Sequence, residues 1–290
     1  MTDKFERVCI IGVGLIGGSM ALGMRKLKLA HEIIGLGRRI ENLKQAKKLK
    51  IIDDWSLKPE QAVKNAELII LATPMGAMPE LVKSIAQNFK PKVILTDVGS
   101  TKLKMIEKIL PLIDEKVDFV PAHPIAGREK TGAKYADANL FKNHWTIITP
   151  TQRSSKKGVE RIKRLWQALG AKVAIMNPKE HDEILAYISH LPHLVAYGLV
   201  STIWNQEQAL PVLRFSAGGF KDFIRIAGSS PEMWRDICLD NKEMIFKALN
   251  QYQNQLEKLK QMIVKEDGGG LEKIFYESKK VKEKVEKQNG

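Results

Sequence analysis

Short apolar runs alternate with stretches of helical spacing through the first part of the chain. "RVCIIGVG" reads as a strand and "LIGGSMALGMRKLK" as a helix; "EIIGLG" is a second strand and "ENLKQAKKLK" a helix with its lysines outward. "AELIILATP", "PELVKSIAQNF", "KVILTDVGS", "TKLKMIEKILPLI" and "VDFVPAHP" continue the alternation. The runs Leu68 to Ala72 and Val93 to Leu95 are apolar throughout, as in strands covered on both faces. This pattern predicts right-handed βαβ units and a parallel sheet. "HWTIITP", "KGVERIKRLWQALG" and "KVAIMNP" extend the same theme to about Pro178.

From Lys179 onward the period changes to that of helices alone. "EHDEILAYISHLPHLVAYGLVSTIW" is helical, with a kink expected at Pro192. "PEMWRDICLDNKEMIFKALNQYQNQLEKLKQMI" reads as a long helix whose stripe is Ile245, Ala248, Leu249, Tyr252, Leu256, Leu259 and Ile263. Gly268, Gly269 and Gly270 read as a flexible break, and the lysine-rich tail as a short exposed or frayed helix. The expected fold class is therefore α/β followed by all-α. A dinucleotide-binding domain of the Rossmann type spans 1–178, and a helical substrate-binding and dimerisation domain spans 179–290. The long stripe suits burial against a second subunit, with packing inside one molecule as the alternative.

Composition narrows the function classes. The chain of 290 residues is 44% hydrophobic and 28% charged, as globular proteins are. No uninterrupted apolar stretch of about 18–20 residues predicts a membrane span, and the N-terminus enters a strand too early for a cleavable signal. Cys9 and Cys238 lie far apart, one in an apolar strand and one in a helical pattern, which argues for unpaired thiols and a cytoplasmic setting. The net charge of +14 is spread along helices without any nucleic-acid-binding signature. It reads as solvated faces with a mild attraction for small anions. His190 and His193 share a helical face, but no further ligand stands near them in sequence, so no metal site is expected.

"IIGVGLIGG" supplies the first chemistry. Gly12, Gly14 and Gly17 form G-x-G-x-x-G directly after a strand, and Leu15 and Ile16 open the helix. Glycines there permit a tight turn, close approach of a pyrophosphate and close helix–strand packing, with the helix N-terminus drawing the phosphates. In NAD-binding versions the second strand ends in an acid for the ribose 2′-hydroxyl. Here Gly37 stands in that place and Arg38 and Arg39 follow. A guanidinium suits a 2′-phosphate, so NADP is favoured over NAD. Thr73 and Pro74 end another strand at the same edge, where they flank the cofactor or simply turn the chain.

"LTDVGSTK" and "PAHPIAGREKTG" bring Asp97, Ser100, Lys102 and His123 to strand ends. Imidazole titrates nearest neutrality, so His123 is the natural acceptor of a proton from a hydroxyl undergoing oxidation. Pro124 stiffens the backbone that presents it. His181 reads as a helix-start residue, and His31 and His144 as strand-edge surface residues.

"GVGLIGGS", "TDVGSTK", "HPIAGREKTG", "SHLPH" and "GGFKDFIRIAGSSPEMWRDI", in this order, resemble the prephenate and arogenate dehydrogenase family of tyrosine biosynthesis. The resemblance implies oxidation of a cyclohexadienol with loss of its ring carboxylate as carbon dioxide and hydride transfer to NAD(P). It implies a small anionic substrate, while composition argues against a nucleic-acid or membrane partner and the helical stripe favours a homodimer. By resemblance His123 accepts the hydrogen bond of the substrate hydroxyl, and Ser100 helps orient it. Arg225 grips a substrate carboxylate, and His193 lies near the substrate side chain. Asp222 reads as a partner for Arg225, Glu129 as a member of that network or a surface residue, and Trp234 as a pocket wall or core residue. A β-hydroxyacid dehydrogenase-like oxidoreductase is the alternative reading.

Overall fold

The computed structural model describes residues 4–128, 130, 132–205 and 213–289. The first half builds β1 (Phe5–Ile11), α1 (Leu15–Lys26), β2 (Ala30–Leu36), α2 (Ile40–Lys48), β3 (Asp54–Ser56), α3 (Pro59–Val63), β4 (Leu68–Leu71), α4 (Met78–Ile85), β5 (Ile94–Asp97), α5 (Leu103–Ile109) and β6 (Asp118–Phe119). These strands form a six-stranded parallel sheet in the order β3-β2-β1-β4-β5-β6. Chain direction across the sheet reverses between β1 and β4, so a crevice opens beyond their carboxyl ends. Alternate residues of each central strand enter different cores. Val8, Ile10, Leu68 and Ile70 pack on one face, and Cys9, Ile11, Ile69 and Leu71 on the other. Both faces are apolar because helices cover both.

The parallel sheet ends sooner than the hydrophobic pattern predicts. "VDFVPAHP" is not one strand. It breaks at Val120 and Pro121 into β6 and β7 (Ala122–Pro124), which belong to different sheets. β7, β8 (Trp145–Ile148) and β9 (Lys172–Ile175) form a separate three-stranded sheet, in which β7 pairs antiparallel with β8. Pro121 lacks an amide hydrogen and ends the first ladder there. His123 consequently sits within a strand, opposite Ile147, rather than in a loop after one. α6 (Lys156–Ala168) covers this region, with Trp166 fully buried and edge-on to Phe141 at 5.0 Å.

Beyond Pro178 the described residues are helical. α7 (Pro178–Leu185), capped by Asn177, runs through a π-helical turn at Ala186–His190 into α8 (Leu191–Trp204). Pro192 lies in the first turn of α8, where its missing N–H costs little, and the irregularity falls on the π-turn before it. The span Pro178–Trp204 is long and apolar enough, by length and composition, to cross a membrane, with 22% of its most apolar window buried. A count of uninterrupted apolar residues does not register it, because Ser189, His190 and His193 divide the span.

The long helix expected from Pro231 is two. α9 (Gly218–Ile224) leads through a 3₁₀ turn to α10 (Pro231–Asp240), and Asn241 separates this from α11 (Lys242–Val264). Asn241 leaves the helical register because its side chain is buried among polar partners. The glycine triplet is no break either: it forms the first turn of α12 (Gly268–Asn289), where Asp267 Oδ1 accepts from the Gly270 amide at 2.9 Å. The chain divides into two compact units, Met1–Lys242 and Glu243–Gly290, the latter holding most of α11 and all of α12.

Candidate active site

The glycine-rich turn has the shape that a dinucleotide requires. Gly12 has φ +95°, and a Cβ there would lie 2.4 Å from the carbonyl oxygen of Ala72. A Cβ on Gly17 would lie 2.4 Å from the carbonyl oxygen of Gly12, so only glycine lets α1 approach this closely. At Gly14 a Cβ would meet nothing within 4 Å. The space before α1 is therefore open, and no side chain caps its first amides. A pyrophosphate fits both features: free N–H groups and the positive end of the helix dipole. Leu15 turns its side chain into the core and offers only backbone, whereas Ile16 is half-buried.

Gly37 follows β2, with Arg38 and Arg39 exposed and Arg39 at the N-cap position of α2. A Cβ at Gly37 would touch only Leu43, at 3.4 Å, an ordinary contact. Space therefore does not exclude an acid at this position. Thr73 is half-buried after β4, its hydroxyl without a protein partner, and Pro74 is exposed beside it. The loop that carries them is held from α10 by Asp236, whose Oδ2 accepts from the Gly76 amide at 3.1 Å.

His123 heads a buried chain of polar groups. Its Nδ1 lies 2.9 Å from Nε2 of His181, and Nδ1 of His181 lies 2.8 Å from Oδ1 of Asp182. The carboxylate of Asp182 also accepts the Lys102 and Leu103 amides, both at 2.8 Å, and so caps α5 from a different helix. An ionised carboxylate only accepts, so the proton in the second bond belongs to Nδ1 of His181. Nε2 of His181 then carries a lone pair, Nδ1 of His123 carries the hydrogen, and Nε2 of His123 is left as an acceptor. Burial, followed by the electrostatic influence of His181, Lys102 and His190, holds His123 well below the usual imidazole range. Burial also lowers His181, against the opposing effect of the hydrogen bond it donates to Asp182.

Beside this chain lies an ion pair with both side chains fully buried: Nζ of Lys102 stands 2.5 Å from Oδ2 of Asp97. Asp97 also accepts the Gly99 amide at 2.7 Å and thereby fixes the loop that holds Ser100, which is half-buried. Met75 ties that loop to the one after β4, since its sulfur accepts from Thr101 N and Oγ1 at 3.4 and 3.3 Å.

The helical residues form a second cluster. His193 stacks on Trp234 with ring centroids 3.9 Å apart, and its Nδ1 donates to the Ser189 carbonyl at 2.8 Å. Its Nε2 is thus the lone-pair nitrogen. Burial lowers the His193 pKa, the Ser189 bond opposes this, and the positive charge of Arg225 adds to the lowering. Arg225, exposed after α9, therefore lies within electrostatic reach of His193. Asp222 is exposed on α9, and Glu129 lies outside the described residues. His190 is buried, its Nδ1 3.2 Å from the amide nitrogen of Asn241, which also donates to the Asp182 carbonyl at 2.8 Å.

Three residues of these clusters were not legible as site residues. His181 reads as a helix start, and Asp182 and Asn241 carry no motif at all. The one local signal is the adjacent pair His181-Asp182, beginning three residues past Pro178 of the Asn177-Pro178 helix start, which is unremarkable without the fold.

Both halves of the chain match known proteins. Residues 20–175 match the nucleotide-binding domain of prephenate dehydrogenase, and residues 177–277 its dimerization domain. The prephenate dehydrogenase of Bacillus subtilis is 37% identical over 96% of this chain and 76% of its own. The cyclohexadienyl dehydrogenase of Zymomonas mobilis is 33% identical over 96% of this chain and 95% of its own. The prephenate dehydrogenase of Aquifex aeolicus, solved with hydroxyphenyl propionate and NAD+, superposes with a TM-score of 0.92 at 34% identity, covering 98% of this chain and all of that one. With a dinucleotide crevice in its first half and a histidine–arginine cluster in its helical half, the chain belongs to the prephenate dehydrogenase family.

Proposed function

We propose that the chain oxidises and decarboxylates prephenate, with arogenate as a second substrate, and that NADP is its preferred cofactor. The observation that carries the reading is His123: neutral, immobilised through Nδ1, and left with Nε2 as a lone pair for a hydroxyl proton. A nicotinamide bound in the crevice would supply a hydride acceptor, and departure of the ring carboxylate as carbon dioxide leaves an aromatic ring. His123 accepts the hydroxyl proton as the carbinol carbon is oxidised. Ser100, on the loop held by the Asp97–Lys102 pair, helps hold the hydroxyl in line. Arg225 holds a carboxylate, because a planar guanidinium matches it through two hydrogen bonds. His193, fixed against Trp234, faces the substrate side chain, and Asp222 attends Arg225. Orientation and charge placement are then the main tasks of the protein, since aromatisation drives the reaction.

Gly12, Gly14, Leu15, Ile16, Gly17, Thr73 and Pro74 would hold the dinucleotide. Gly37, with room for a side chain but none present, and the exposed Arg38 and Arg39 support NADP over NAD. The domain boundary near residue 178 and a cytoplasmic setting belong to the same reading, the latter supported by the free thiols of Cys9 and Cys238. Homodimer formation is supported by the exposed apolar side chains of Ile188, Trp204, Phe246, Ile263 and Val264 in the region of the dimerization-domain match.

The test is absorbance of reduced nicotinamide with prephenate or arogenate, each paired with NAD or NADP. Turnover of prephenate with NADP above NAD is expected. His123→Asn should lower turnover by about 10²- to 10⁴-fold while cofactor affinity stays unchanged, and Gly37→Asp should move the preference toward NAD. Silence in all four combinations from protein that binds cofactor would refute the reading.

A further inference from the structure

His123 must dispose of the proton it receives, and the route is built into the helix that follows the second sheet. We infer that His181, held by Asp182, is a positioning residue that fixes the tautomer of His123 and receives its second proton during turnover. The inference rests on the proposed role of His123 as proton acceptor.

Burial disfavours a charge on resting His181, and with that ring neutral the geometry admits one assignment of hydrogens. Asp182 is filled by the two amides at the start of α5, which fix its carboxylate, and by His181 Nδ1 at 2.8 Å. His181 therefore presents a lone pair at Nε2, 2.9 Å from Nδ1 of His123. Free histidine favours hydrogen on Nε2, which would leave His123 with a donor where an acceptor is needed. The contact with His181 imposes the opposite tautomer.

The same contact gives the proton somewhere to go. When the hydroxyl O–H bond breaks and its proton joins Nε2 of His123, the N–H bond at Nδ1 breaks and that proton joins Nε2 of His181. Nδ1–H of His181 stays hydrogen-bonded to Asp182, so the relay gains the one proton the substrate gives up and carries it as the imidazolium of His181. The charged groups around the two rings favour this end point. His123 faces Lys102, His181 and His190, each opposing a positive charge on it. His181 also feels Lys102, but it faces the carboxylates of Asp182 and Asp97, which favour its cation. The imidazolium is thus better placed on His181, one ring further from the substrate.

The experiment combines ¹⁵N-histidine spectra of the cofactor-free protein with turnover, the His123 signals being assigned by their loss in His123→Asn. The expected spectrum has hydrogen on Nδ1 of His123 at neutral pH. In His181→Phe it should revert to Nε2, with kcat down about a hundredfold or more and KM little changed; a wrong tautomer is costly in the same way in serine-protease triads. His181→Gln supplies an oxygen that accepts from Nδ1 but cannot take a proton. It should keep the parental tautomer yet lower kcat about tenfold and flatten the pH profile of kcat. Hydrogen on Nε2 of His123 in the parent, or parental kcat in His181→Gln, would overturn the inference. Absence of turnover in the parent would instead refute the proposed function, and the spectra would still read the tautomer.

Discussion

Replacing Lys102 by methionine tests whether the buried ion pair holds the site loop by charge or merely fills space. Lys102 and Asp97 are both fully buried and meet at 2.5 Å. Without the ammonium, Asp97 retains the amides of Gly99 and Ala122, and its Oδ1 already lacks a partner. Removing one member of a buried pair costs about 3–5 kcal/mol, because the surviving charge is left uncompensated. The loss must depend on pH. Burial already raises the Asp97 carboxyl above 3.8, against the pull of Lys102, and losing that lysine raises it further. A group with a folded pKa above its unfolded value binds more protons when folded. Its stabilising effect is complete below the unfolded value and is lost as pH rises through the folded one. The deficit of Lys102→Met relative to the parent should therefore be larger at about pH 7.5 than at about pH 5.5, changing by at most roughly 1.4 kcal/mol per pH unit. Urea unfolding followed by tryptophan fluorescence at both pH values gives the two differences. Adding Asp97→Asn, which keeps an acceptor for Gly99, should recover at least half of the loss and remove its pH dependence. A deficit below about 1 kcal/mol at the higher pH, or equal deficits at both, would refute the charge argument.

Two other outcomes are expected. Burial displaces His190 from 6.5 to about 4, so the unfolded state binds the extra proton; its contribution of about 3 kcal/mol is complete above 6.5 and lost as pH falls toward 4. Urea midpoints should fall across that window and fall less in His190→Gln, and equal slopes in the two proteins would exclude His190 as the source. Arg225→Ala should raise KM for the substrate by about 10- to 100-fold with kcat within a few-fold, the value of a charged hydrogen-bond pair. An unchanged KM in steady-state assays would assign the arginine to structure alone.

Hydrophobic order and glycine spacing alone determined the doubly covered parallel sheet, the dinucleotide turn and the helical second half. Each of these depends on neighbours close in sequence: strand residues that must be apolar on both faces, and glycines that must admit backbone. The proposed proton acceptor stood out for the same reason, since His123 carries its own local signature of flanking Pro124 and small residues. Tertiary structure decided everything that depends on pairing between distant segments. It broke "VDFVPAHP" at Pro121 and sent His123 into a second sheet, a choice governed by which ladder can accept a strand lacking one amide. It ended the helix at Asn241, because a buried amide side chain gains more from Asp182 and His190 than from helical register. It turned three glycines into a helix start, because Asp267 caps them. Above all it joined His123 to His181 and Asp182 across 58 residues. Periodicity reports which way a side chain faces; only the packed fold determines which other side chain it meets there.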